Sequence, residues 1–372
     1  YSDNMIYRTA GNTGKEISVL SMGGMRFPDN QDIVDSLVET CVEQGINYFE
    51  LSPGYVDTSC EILAGNALKP FRKKVHISTK SNFKTDPTES HVLKRFENSL
   101  KALHTDHIDF YHTWFVNDTN DLAEMEKSHL MAMLKLKEQG AISHIGITTH
   151  MNDDDIVTAL KSFPFETVTI SYNLLNAHMR PKTIEYANRN GIAVFAMNPV
   201  GGGMLANNYD VLNGLSRNKP FSVVGAALLF VVSNMGITTA INGLNDADMA
   251  KHSLEQIKHL DSFTNDDAKE IYAAFSALGP TFCVGCDYCL PCPENVMIPR
   301  YLKMLNQYIL GGIDNVLSTY KKHLAAGRIK KDNRPENCTE CGQCLPKCTA
   351  HLDIPEKLKQ ATELLIELEK LI

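Results

Sequence analysis

Over the first 278 residues, short apolar runs rich in β-branched and aromatic residues alternate with longer segments of helical periodicity. The runs fall at 17–20, 48–51, 75–79, 108–112, 142–147, 167–171, 193–196 and 239–241, and predict strands. Between them, segments such as 32–43, 89–103, 131–138 and 246–257 predict helices. Short, wholly apolar strands separated by helices imply a parallel sheet covered on both faces. Eight such units, recurring about every 30 residues, fit a (β/α)8 barrel. A doubly wound open sheet is the alternative, but no G-x-G-x-x-G follows the first strand. The triplet Gly201-Gly202-Gly203 comes too late in the chain to be that loop. The longest apolar stretch, 223–232, falls short of the roughly 20 residues that span a bilayer and predicts a buried core helix. Residues 260–279 read as a last helix and a linker.

Beyond residue 278 the pattern changes. Of ten cysteines, Cys41 and Cys60 stand alone, and eight fall in two ordered sets. Cys283, Cys286, Cys289 and Cys292 have the spacing C-x2-C-x2-C-x2-C; Cys338, Cys341, Cys344 and Cys348 have C-x2-C-x2-C-x3-C. The sets are offset by 55 residues at their first three members and 56 at the fourth. Each is followed by an Ile-Pro pair, Ile298-Pro299 and Ile354-Pro355. A duplicated unit implies two similar sites. A [4Fe–4S] cube needs four thiolates, and three cysteines in step on a tight loop can wrap three corners. Zinc also takes four thiolates, but its usual paired C-x2-C motifs leave a third cysteine in step without a role. The spacing therefore predicts two [4Fe–4S] clusters in a domain covering residues 279–372, with residues 300–334 forming a helical insert.

Composition narrows the partners. A net charge of −8 argues against nucleic acid, which requires a basic face for its phosphates. The first twenty residues carry no basic segment followed by an apolar run, so no signal peptide and no membrane association are expected, and the location is read as cytoplasmic. One basic stretch, Lys321, Lys322, Arg328, Lys330, Lys331 and Arg334, could dock an acidic redox partner, although a solvated helix face would look the same.

The tail resembles a bacterial-type two-cluster ferredoxin domain, in which the fourth cysteine of each run ligates the other cluster. That resemblance implies that Cys283, Cys286 and Cys289 pair with Cys348, and Cys338, Cys341 and Cys344 with Cys292. Thr349 stands where the family usually has proline, a position that shapes the loop without ligating.

In a barrel, chemistry sits at the C-terminal ends of the strands. Those ends carry Glu50 and Tyr55, Lys80, His112 and Trp114, Thr148 and His150, Asn173, and Asn198. An ammonium near a phenol lowers the phenol's pKa, so Tyr55 and Lys80 could together deliver a proton to a developing alkoxide. The segments YRTAGNTGKEISVLSMGGMRFP, YFELSPGY, HISTK, HIDFY, GAISHIGITTH, MNPVGGG and GITTAINGL, in this order, resemble the aldo-keto reductases, and with the tail the subgroup carrying a C-terminal ferredoxin domain. The resemblance implies NAD(P)H as cofactor, a small-molecule carbonyl substrate, and an Asp-Tyr-Lys-His tetrad. Tyr55 and Lys80 match two of its members; Glu50 stands at the Asp position and Trp114 at the His position. His112, one layer deeper on the same strand face, and His150 are the candidates to replace that histidine. Met25, Arg26, Thr148, Asn198, Gly243 and Asn245 fall in the segments where the resemblance places the cofactor. After Gly243 no basic residue follows to hold a 2′-phosphate, the next acidic residue is Asp246, and His252-Ser253 stands where the family has Glu-Asn. These departures favour NADH or weak binding.

Three functions compete on this reading. The first is an oxidoreductase transferring hydride between NAD(P)H and a carbonyl. The second is a cluster-driven one-electron reductase with a substrate pocket in its barrel. The third is a non-enzymatic electron carrier.

Overall fold

The computed structural model describes residues 5–116, 118–206, 216, 219–276, 282, 283, 285, 287–348 and 350–372. It divides into two compact units, Tyr1–Val200 with Val224–Ala268, and Gly201–Val223 with Lys269–Ile372.

The first unit opens with a two-stranded antiparallel hairpin, β1 (Tyr7–Thr9) and β2 (Glu16–Ser18). Eight parallel strands then close into a barrel: β3 (Leu20–Gly23), β4 (Tyr48–Glu50), β5 (His76–Asn82), β6 (Ile108–Val116), β7 (Ile142–Thr149), β8 (Thr167–Ser171), β9 (Ala193–Met197) and β10 (Thr239–Gly243), with β10 pairing back to β3. The alternation of the sequence is thus a (β/α)8 barrel. The first strand is a correction. Residues 17–20 form no single strand, because Glu16–Ser18 pairs with Tyr7–Thr9 and the barrel begins only at Leu20. The apolar run therefore serves two sheets. Ile17 belongs to the plug of Ala10, Tyr48, Phe110, Ala193, Phe195 and Ile241, at the end opposite the strand C-termini. Gly191, at φ 66°, presses against that hairpin; a Cβ there would stand 2.2 Å from the Asn12 amide nitrogen.

Helices begin where the sequence supplies a cap. Asn30, Thr88, Asn152 and Asp246 each accept a backbone N–H from the first turn of Gln31–Glu43, Glu89–Ala102, Asp153–Ser162 and Ala247–Ile257. The apolar helix Val223–Ser233 has eight buried residues, as its sequence predicted. Among the described residues no helix is long and apolar enough to cross a membrane.

The second unit is built on two long helices, Ile298–Ala325 and Ile354–Glu369. Each starts on one of the two Ile-Pro pairs, with proline in the first turn, where its missing N–H costs nothing. The first breaks at Gly312, at φ 71° and ψ −174°, and ends before the predicted limit of 334; Lys331–Asn333 and Pro335–Asn337 are separate 3-10 turns. Val296, Ile298, Tyr301, Leu302, Leu305, Val316, Tyr320, Ile354, Leu358, Leu364, Leu365 and Leu368 make the core. Among the described cysteines of the tail, Cys289 alone is a buried member, while Cys283, Cys292, Cys338, Cys344 and Cys348 pack against it.

Candidate functional site

Glu50 and Tyr55, from the end of β4, converge on the amine of Lys80 in the neighbouring β5. Glu50 is the last residue of β4, Lys80 lies in β5 in register with His112 of β6, and Tyr55 follows β4 on a loop. Lys80 Nζ donates to the Tyr55 hydroxyl at 3.0 Å and forms an ion pair with the Glu50 carboxylate. Lys80 is fully buried and Glu50 nearly so. The loop beyond Tyr55 is held in an uncommon conformation: Val56, Asp57 and Thr58 have φ of 52°, 47° and 78°. Left-handed backbone at β-branched residues costs about 1–3 kcal/mol each and persists only where the surroundings impose it.

Burial draws the Lys80 pKa from 10.5 down to about 7, because a charged amine loses its hydration there. The Glu50 carboxylate in contact with it opposes this and keeps the proton on nitrogen. The pair thus presents a cation to Tyr55 in a water-poor site. Trp114 completes the enclosure. Its ring lies edge-on to Tyr55 with centroids 6.0 Å apart, and Lys80 Nζ is 5.6 Å from its ring centroid. A register shift in β6 between Trp114 and Val116, with Phe115 at φ 68°, accompanies that placement.

His112 lies deeper. It is fully buried, with Nδ1 3.0 Å from Thr148 Oγ1 and Nε2 3.0 Å from Thr167 Oγ1. Burial, and then the Lys80 charge, push its pKa down to about 3, so it is neutral. Gly146 makes room for the ring; a Cβ there would stand 2.6 Å from His112 Nε2. Both ring nitrogens and the Thr148 hydroxyl are therefore engaged with each other inside the barrel. His150 follows β7 and is half-buried.

A second group lies where β3 adjoins β10. Gly23 and Gly243 are register partners at the strand ends. Arg26 crosses Gly243 so closely that a Cβ there would stand 2.8 Å from Arg26 Cγ, while Met25 and Asn245 are exposed. Asp246 caps the helix that follows, accepting from Met249 N at 2.8 Å. Ser253 is buried and accepts from Asn242 Nδ2 at 3.1 Å. Bare backbone at two adjoining strand ends, beside a helix N-terminus, suits a dinucleotide. Asp246 at that terminus makes the spot less suited to an additional phosphate. Asn198, at φ 58° after β9, accepts from Asn173 Nδ2 at 2.8 Å through its carbonyl. The structure thus brings Arg26 to Gly243 and joins Asn198 to Asn173.

Arg180 was not legible in the sequence. It is 1% exposed and its guanidinium donates to the carbonyls of Ser171, the last residue of β8, and Met151, two residues past β7. An arginine before a proline in a loop carries no pattern that would single it out.

In the second unit, Cys292, Cys338, Cys341 and Cys344 line one cavity, together with Cys289. Burial raises the Cys344 pKa, and Cys338, Cys341 and Cys292 add to that as neighbouring negative charges. Two cysteines of the first set, Cys289 and Cys292, thus lie beside the second set. Cys348 Sγ accepts from Leu352 N at 3.3 Å, as cluster-bound sulfurs do. Cys283 is clamped by Asn306, which accepts from its N–H at 3.3 Å and donates to its carbonyl at 2.7 Å. Cys286 and Thr349 lie outside the described residues, as does the 278/279 boundary. No disulfide joins any two of the nine described cysteines. No three His, Cys, Asp or Glu side chains among the described residues converge on a single metal ion.

Comparison with known proteins agrees with this geometry. Residues 19–274 match the aldo/keto reductase family, and residues 282–353 match a 4Fe-4S dicluster domain. The L-galactose dehydrogenase of Arabidopsis thaliana is 24% identical over 291 residues, 70% of this chain and 90% of that protein. The holo form of an aldo-keto reductase from Bacillus halodurans superposes with a TM-score of 0.62 at 22% identity, covering 72% of this chain and 96% of that one. An aldo-keto reductase from Klebsiella pneumoniae in complex with NADPH gives 0.62 at 18% identity, covering 73% and 96%.

Proposed function

Since the chain belongs to the aldo/keto reductase family, we propose that its barrel reduces the carbonyl group of a small molecule at the expense of NADH or NADPH, and that its tail holds two [4Fe–4S] clusters. The observation that carries the barrel reading is the Glu50–Lys80–Tyr55 chain. A nicotinamide bound at this site supplies the hydride. As negative charge builds on the carbonyl oxygen, the Tyr55 hydroxyl delivers its proton to that oxygen. Lys80 keeps the phenolate left behind from being an isolated buried charge, and Glu50 keeps Lys80 protonated. Trp114, standing where the family carries a histidine, offers an apolar wall and one N–H donor but no titratable nitrogen for acid–base exchange. Glu50 reaches Lys80 directly, so its extra methylene relative to Asp does not separate the pair.

The glycine pair Gly23 and Gly243 supports a dinucleotide at the barrel edge, and the Asp246 cap supports NADH over NADPH. Titrating both nucleotides against the purified protein tests this. Tighter NADH than NADPH binding is expected, and binding of neither would remove the hydride reading. For the tail, Cys292, Cys338, Cys341 and Cys344 would hold one cluster, and Cys283, Cys286, Cys289 and Cys348 the other. Cys292 beside Cys338, Cys341 and Cys344 in one cavity supports that division; Cys289 lines the same cavity.

A further inference from the structure

The basic stretch of the sequence does not act as one surface. Arg334 is engaged by Glu336 at 2.8 Å and Glu369 at 2.6 Å. A different group, with Arg300 and Lys303 as its cations, meets at a recess of the second unit. Its walls are Asp287 and Leu290 of the first cysteine loop, Arg300, Lys303 and Gln307 from the first half of the broken helix, and Thr319 and His323 from the second. Arg300 donates to the Arg328 carbonyl, and burial followed by the Arg300 and Arg328 charges lowers the His323 pKa, so those two guanidinium groups both act on His323. The Gln307 side-chain oxygen is buried without a hydrogen-bond partner. Lys303 lies against the cysteine loop itself; a Cβ on Gly285 would stand 2.7 Å from its Nζ. Arg300 and Lys303 bring positive charge, Asp287 negative charge, and His323, its pKa lowered, is neutral at pH 7, so the recess keeps a net positive charge beside the loop carrying Cys283 and Cys289.

The other cysteine set is surrounded differently. Glu294 lines its cavity, Glu336 pairs with Arg334, and Glu340 pairs with Lys359 at 3.1 Å. Beside the second set Glu336 and Glu340 are balanced by Arg334 and Lys359, leaving Glu294, so that side offers an acidic surface no excess of positive charge.

We propose that the recess of Arg300, Lys303 and His323 is the docking port of an acidic one-electron carrier protein, and that the cluster on the Cys283 loop is the tail's point of electron exchange. Charge complementarity selects the partner: a chain of net charge −8 repels acidic proteins at long range, so a local positive recess decides where one can land. In the exchange, the reduced carrier loses one electron and the cluster gains it, with no bond made or broken and no proton moved. The proposal rests on the clusters of the tail and is independent of the carbonyl chemistry of the barrel.

The test measures binding of an acidic bacterial ferredoxin to the anaerobically purified, cluster-loaded chain by calorimetry at low and high ionic strength. The expected result is salt-sensitive binding that weakens about tenfold or more in Lys303→Glu, an exposed position, and further in the Arg300→Glu/Lys303→Glu pair. Lys359→Glu, beside the other cysteine set, should change it by less than about twofold. Iron content and circular dichroism of each variant establish that it is folded, and Lys303→Glu alone suffices if the double variant is not. Absence of binding by the unmodified chain, an unchanged affinity in Lys303→Glu, or an equal loss in Lys359→Glu would overturn the proposal. Binding of citrate at the recess with no binding of the ferredoxin would assign it to small anions and likewise overturn it.

Discussion

The Tyr55 hydroxyl takes its hydrogen bond from Lys80, a fully buried amine that lies 3.0 Å away and is itself ion-paired to Glu50. A phenol in that position is prepared to lose a proton, because the charge that would stabilise its conjugate base is already present. Tyr55→Phe removes the donor and almost no volume. Turnover of a carbonyl substrate should fall by about 100-fold or more, the scale of general acid catalysis, while substrate and nucleotide dissociation constants change little. Steady-state kinetics with binding titrations separate the two effects.

Glu50 sets the pH range. Burial lowers the Lys80 pKa towards 7, and the Glu50 carboxylate opposes that shift. The protonated amine is the active form, so activity is present below the Lys80 pKa in the folded enzyme and declines as pH rises through it. Glu50→Gln leaves burial unopposed, so the decline should move to lower pH and activity at neutral pH should drop. Glu50→Asp should keep the original profile more nearly. A pH–rate series on the three proteins checks the direction; an alkaline shift in Glu50→Gln contradicts it.

Trp114 governs shape more than proton transfer. It fills space over Lys80 and beside Tyr55. Trp114→His restores the residue type of the family and opens that space, so it should alter the ranking of aldehydes and ketones while retaining measurable turnover. A substrate panel compared by kcat/KM reads this, and an unchanged ranking would show that the indole does not face the substrate.

Anaerobically purified chain should contain close to eight iron and eight sulfide, from two complete cysteine sets. Cys348→Ser should damage the cluster of Cys283, Cys286 and Cys289. Loss confined to the Cys338 set would reject the crossed assignment. Cluster removal should disorder the cysteine loops, whose only described cysteine in the buried core is Cys289, and leave the barrel's thermal transition in place. Calorimetry of the apo and loaded chains measures this.

Periodicity and spacing made much of this legible in advance. The helix predicted at 131–138 is the helix observed, and the Ile-Pro pairs mark the starts of two long helices. The first barrel strand was misplaced because an apolar run does not say which sheet it joins: Ile17 packs in the plug and Leu20 begins the barrel. Tyr55, Lys80 and Glu50 were singled out by their strand-end positions together with the family resemblance, and the structure brings all three into contact. His112 was proposed from its strand face, and that orientation holds. Strand parity could not reveal that Thr148 and Thr167 engage both its nitrogens. Arg180, Asn306 and Lys303 act through tertiary contacts between segments far apart in sequence, and such contacts leave no local pattern.

The central claim is that hydride passes from a nicotinamide to a carbonyl carbon while Tyr55 supplies the proton. The most direct measurement is a single turnover of a test aldehyde with NADH deuterated at the transferring position, comparing the unmodified chain with Tyr55→Phe and analysing the alcohol by mass spectrometry. The account predicts one deuterium on the carbinol carbon and a rate about 100-fold or more slower in Tyr55→Phe. An alcohol formed without deuterium, or full speed in Tyr55→Phe, would contradict it.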